Sequence, residues 1–165
     1  MGPVFLRVPR TEFEFSTTEA VSDSGETMTR EAKIMAGIIL LTVPTIQYDG
    51  YFLLTSLTNR DRHYMDNPLR QNFFRAGHAH AGVLVIFALV YQILADNATL
   101  SSSWLWLART GVPIAAILIP AGFFLSMTSP SATQPTGIVS LIYPGIAALC
   151  ASVITLGVGL LRSAS

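Results

Sequence analysis

The chain has 165 residues, 51% apolar and only 12% charged, and its ten basic residues are balanced by ten acidic ones. Charge usage at about half the soluble norm of ~25%, with a mean hydropathy of +0.51, excludes a disordered chain and a disulfide-stapled secreted scaffold. Zero net charge offers no field for steering nucleic acid, and the single cysteine, Cys150, can form no intrachain disulfide.

Residues 1–33 stand apart from the rest. Glu12, Glu14, Glu19, Asp23, Glu26 and Glu31 are mixed there with Arg7, Arg10, Arg30 and Lys33 among Ser and Thr. No apolar run follows the basic positions as a secretory signal needs, and the residues after Gly2 lack the Ser or Thr of a myristoylation site. The segment reads as a polar, flexible tail, or as an upstream extension of a chain that starts at Met28.

Four apolar stretches follow, over residues 34–57, 77–95, 104–127 and 137–161, and Asp49 and Arg109 are the only charged residues within them. Each is long enough to cross ~30 Å of hydrocarbon as a helix. The first is interrupted by Pro44 and Gly50, which membrane helices tolerate, and a kink is expected near Pro44. The connection over 58–76 carries Arg60, Arg62, Arg70 and Arg75. Phe73 and Phe74 beside Arg75 mark an interfacial re-entry point. The second span opens Gly-His-Ala-His-Ala-Gly at 77–82. The third begins with Trp104 and Trp106, an aromatic-belt signature, and carries Pro113 and Pro120. An uncharged hairpin loop over 128–136 leads to the fourth, where Ala147, Ala151, Thr155 and Gly159 form a four-residue ladder of small side chains suited to close helix approach.

The fold expected is all-α: an up-down-up-down four-helix transmembrane bundle, a single domain over 34–165 with both termini on one side. Its partners are the lipid bilayer and either further copies of itself or a larger membrane complex. Compact loops suggest a multi-pass protein of a bacterial inner membrane. The flanking basic residues are nearly equal in number on the two sides, so the positive-inside rule leaves orientation open.

Antiparallel connectivity sorts the polar residues. Asp49, His78, His80 and Tyr143 fall on the side of the Arg-rich connection, here side B, and Tyr91, Gln92, Asp96 and Arg109 on the opposite side A. Asp49 lies about 12 Å inside its span. An ionised Asp at the membrane centre costs ~2.5–3.5 kcal/mol, so it is expected to face the bundle interior with a partner or to stay protonated, unless it caps backbone at Gly50 or the span ends earlier and leaves it in water. Residues two apart on a helix point ~200° apart, so His78 and His80 address different neighbours. His78 shares a face with Gly82, where missing bulk admits a flat cofactor or a second helix. Arg109 is expected to snorkel to the surface and to pair with Asp96.

The Gly77–Gly82 segment resembles the His-x-His of the haem-copper oxidase catalytic subunit, where two histidines on one helix serve haems on opposite faces. That resemblance covers about six residues, and no other span here contains a histidine. A single haem would then need His78 or His80 with a non-histidine partner such as Met127, or five-coordinate iron. The wider segment FFRAGHAHAGVL resembles small four-span bacterial membrane proteins of unestablished function. In size, and in a histidine at the head of span 2, the chain is similar to hydroxylaminobenzene mutases.

Three functions follow as expectations. A side-B pocket of Asp49, His78, His80 and Tyr143 would hold haem, a metal ion ligated by His78 and His80, or a polar small molecule. Alternatively the chain is an accessory or structural subunit of a membrane complex. A third reading is a membrane-embedded mutase or redox enzyme with His78 or His80 as general acid-base and Asp49 orienting it, although the span boundaries place these groups several ångströms apart in depth.

Overall fold

In lipid every backbone N–H and C=O must be satisfied within the protein, and a helix does this locally. The computed structural model describes residues 28–165; the segment 1–27, which holds most of the expected tail, lies outside the described residues. Among the described residues there are five α-helices: α1 (Arg30–Thr58), α2 (Arg62–Met65), α3 (Pro68–Asp96), α4 (Ser102–Ser126) and α5 (Ile142–Ser163), the last entered through a 3-10 turn at Gly137–Leu141. Four helical segments are long and apolar enough to cross a membrane: α1, α3, α4, and α5 with its 3-10 turn. The chain is thus an all-α, multi-pass membrane protein.

Capping explains where the helices begin. Thr29 caps α1 by accepting from Ala32 N at 3.2 Å, so residues 30–33 belong to the first helix and not to the tail. Asn67 caps α3 by accepting from Arg70 N at 3.0 Å, and Pro68 occupies the first helical position, where its missing N–H costs nothing. α3 therefore starts nine residues before the apolar stretch that opens at Gly77. Hydropathy reports where hydrocarbon begins, whereas caps report where the helix begins.

Contacts between helices run in opposite directions along the chain. Thr29 meets Asp96 and Asp49 meets His78 across α1 and α3. Gln92 meets Arg109 across α3 and α4, and Gly111 and Gly122 face Ser152 and Ile142 across α4 and α5. The bundle is thus up-down-up-down, but its packing is serial. α1 lies on α3, α3 on α4 and α4 on α5, with only slight contact between α1 and α4 and none between α1 and α5. A central core of Ile39, Val85, Ala88, Tyr91, Val112 and Leu156 ties the row together.

The four-residue ladder expected on the fourth span is out of phase with this packing. Ala147 and Ala151 are exposed, while Gly145, Ser152 and Gly159 are buried. A Cβ at Gly111 would stand 2.5 Å from Ser152 Cβ and 2.7 Å from the Ala148 carbonyl, and one at Gly145 would stand 2.7 Å from Ile119 Cγ1. Close approach of α4 and α5 depends on these absences, as it does for small residues at membrane-helix interfaces generally.

A second core closes side B. Leu53, Tyr64, Phe74 and Met127 are buried there, with Phe52 and Phe124 packed against them, and Phe74 makes an edge contact with Phe124 at 5.4 Å between centroids. Arg70 lies over the Phe74 ring at 4.7 Å and donates through Nε to the Met127 carbonyl at 3.0 Å. Asn67 Nδ2 donates to the carbonyls of Pro130 and Ala132. The loop after α4, read from sequence only as an uncharged hairpin, is therefore fastened to the start of α3.

Candidate polar site between α1 and α3

Asp49 is twenty residues into α1 and His78 eleven into α3. Counted from side B, each lies about 14–15 Å from its helix end, so antiparallel packing sets them level. This removes the depth mismatch inferred from sequence, which arose from starting the second span at Gly77. His78 Nδ1 stands 2.8 Å from Asp49 Oδ2. An Nδ1–H donating to a carboxylate fixes the tautomer and leaves Nε2 as a lone pair.

Gly50 makes the contact possible. A Cβ there would stand 3.1 Å from His78 Cε1 and 3.5 Å from Nε2, so the imidazole rests on the α1 backbone. The His78 side chain is 38% exposed and that of Asp49 21%. No hydrogen bond from another described residue reaches His78 Nε2 or Asp49 Oδ1. The two residues open to different grooves. His78 lines one of about 440 Å³ between α1 and α3, together with Gln47, Gly50 and Gly82. A Cβ at Gly82 would meet nothing within 4 Å, so that groove is open beside the ring, as the shared face of His78 and Gly82 predicts. Asp49 lines the other, of about 510 Å³, between α1, α3 and α4. The pair can accept a hydrogen bond or a proton at Nε2, at Oδ1, or at both.

His80 and Tyr143 are not part of this site. His80 Nδ1 donates to the Ala76 carbonyl at 2.7 Å, and its ring stacks on Phe123 of α4 at 5.2 Å. The two histidines thus address different neighbours, as their spacing predicts. Tyr143 is on α5, which makes no contact with α1, and is 72% exposed. Serial packing separates it from Asp49, where a closed bundle would have brought the fourth span back to the first.

Nothing among the described residues supports a metal or a haem in either groove. Among the described residues no three His, Cys, Asp or Glu converge on one point. Met127, the residue considered as a second iron ligand, is fully buried in the side-B aromatic core. Neither groove is lined by a Lys or Arg to receive a haem's two propionates.

The side-A polar residues form a separate clasp. Arg109 is 2% exposed, so it does not snorkel, but it does pair with Asp96. Its other amino group donates to the carbonyl and Oε1 of Gln92 at 3.3 and 3.4 Å. Thr29 adds Oγ1 and N, donating to the two Asp96 oxygens at 2.7 and 3.0 Å. Gln92 Nε2 donates back to the Arg109 carbonyl at 3.1 Å. The buried Arg109 and the partly buried Asp96 satisfy one another, which makes the clasp a fastening of α1, α3 and α4. Sequence reasoning missed the part of Thr29, although a Thr three residues before Ala32 at a helix start is a recognisable cap. In comparisons with known proteins, no family model, curated protein or solved structure matches the chain.

Proposed function

We propose that the chain is a bacterial inner-membrane protein that holds a small polar or amphipathic molecule at the Asp49–His78 pair. The observation that supports this reading is the 2.8 Å contact itself. An Asp and a His far inside two apolar helices are expensive to keep unless they serve a site, and here they spend one atom each on their partner and leave one each to a groove. The large polar network on side A offers no such surplus, since its groups are consumed in fastening helices.

Non-denaturing mass spectrometry of the full chain, released in mild detergent from the membranes in which it is expressed, tests the proposal. The wild type is expected to carry a bound mass that His78→Ala and Asp49→Leu both lose and His80→Ala retains. Absence of any adduct on the wild type, or its persistence in both site variants, overturns the reading. So does a Soret absorption band that disappears with His78→Ala, which would replace the polar molecule with haem.

A further inference from the structure

We propose that the groove between α1, α3 and α4 seats the apolar tail of a lipid-phase molecule whose uncharged hydroxyl head donates to Oδ1 of Asp49. The inference rests on the reading of Asp49–His78 as a ligand site and adds the class of molecule and the place of its tail.

The register of the three helices gives the groove a direction. Its lining runs from Asp49 to Ile38 on α1, from Ala81 to Ala88 on α3 and from Phe124 to Pro113 on α4. Antiparallel packing sets Asp49, Ala81 and Phe124 toward side B and Ile38, Ala88 and Pro113 toward side A. The span from Asp49 to Ile38 is about 16 Å along the helix. That is the length of a chain, and its walls of Leu41, Ile46, Val85 and Ile117 suit nothing but hydrocarbon.

Ionisable character is confined to one end. Thr42 and Thr45 also line the groove, but their hydroxyls donate to the carbonyls of Ile39 and Thr42, both at 2.6 Å. Asp49 is the only ionisable lining residue. Its Oδ2 faces His78, so Oδ1 is the acceptor left for a ligand. With no Lys or Arg in the lining, a carboxylate or phosphate head finds no counter-charge at this end, and beside an ionised Asp49 it would meet like charge in a weakly screened setting, which disfavours fatty acids and phospholipid headgroups. A neutral hydroxyl meets an acceptor there. An aliphatic alcohol and a quinol share that chemistry.

The test uses the full chain in phosphatidylcholine nanodiscs, with thermal unfolding read in the presence of dodecanol, decylhydroquinone or dodecanoate. A hydroxyl probe near saturation is expected to raise Tm by about 5 °C, the larger of the two shifts telling an aliphatic from a phenolic head, with no rise for dodecanoate. Ala116→Phe fills the groove and is expected to abolish the shift while leaving helicity unchanged; Asp49→Leu is expected to abolish it independently. Equal shifts with dodecanol and dodecanoate, or a shift that survives in both variants, overturn the proposal. If the co-purifying mass is lost in His78→Ala yet retained in Ala116→Phe, the polar site stands and this groove is not its seat.

Discussion

A single absent methyl group decides whether His78 can reach Asp49. Gly50 leaves room for the imidazole on the α1 backbone, and a Cβ at 3.1 Å from Cε1 asks the ring to move by a few tenths of an ångström. The ring is partly exposed and can give way, so Gly50→Ala is expected to leave stability within about 0.5 kcal/mol of wild type or slightly above it, Ala being the better helix former. What changes is the contact. The Nδ1 resonance of His78 in nitrogen-15 NMR is expected to move away from its carboxylate-bonded position, and ligand retention to fall, without loss of fold. A clear drop in Tm with an unmoved resonance would show Gly50 to be a packing residue and nothing more. At this scale the sequence disclosed which residues mattered but not how they met. Asp49 and His78 stand out by rarity, since charged and titratable groups are few in the spans. Their pairing was hidden because it depends on where α3 starts, and the Asn67-Pro68 signal lies in a polar stretch that hydropathy passes over.

Among the helices, the α4–α5 seam shows how a correct kind of residue can be read in the wrong phase. A four-residue ladder through Ala147 and Ala151 is visible in the sequence, yet the buried series is Gly145, Ser152 and Gly159, seven residues apart: the first two face α4, and Gly159 faces Leu100 in the turn between α3 and α4. Both series reach Gly159, and composition alone cannot choose between them because Ala, Ser and Gly are all small. The choice is made by the partner: Gly111 opposes Ser152, whose Oγ donates to the Ala108 carbonyl at 2.7 Å. The two faces are therefore expected to respond differently to bulk. Gly111→Ala puts a methyl 2.7 Å from a backbone oxygen that cannot swing aside, and an overpacked contact of that kind costs roughly 1–3 kcal/mol. Ala151→Leu adds a larger side chain to an exposed face and is expected to stay within about 0.5 kcal/mol of wild type. Unfolding of the two variants in the same detergent compares them directly, and a reversal of the order would put the seam on the other face.

Across the whole molecule, the row of helices is held unequally at its two ends. α5 is locked to α4 along a seam of small residues, while α1 buries only Ala32, Ile39, Leu53 and Ser56 and relies on two polar fastenings to stay on α3. One is the Asp49–His78 pair toward side B, and the other is the Thr29–Asp96–Arg109 clasp on side A. Because α1 also forms one wall of the groove, how firmly it is held sets how readily the groove opens to lipid. Arg109→Met removes the cation at the centre of the clasp and leaves the Asp96 carboxylate with Thr29 alone. Breaking a fully buried pair from one side costs about 3–5 kcal/mol; Asp96 is partly exposed and keeps Thr29, so a smaller loss is expected, falling on α1 first. Hydrogen exchange in nanodiscs should then quicken in the amides from Lys33 to Ile39 while those of Val112 to Ile119 and Ala148 to Leu156 keep their protection, since local opening follows the least buried element. The result would place the weakest joint of the bundle at the helix that carries Asp49. A uniform rise across all four spanning helices would instead make the clasp part of one cooperative core, and α1 would then open only when everything does.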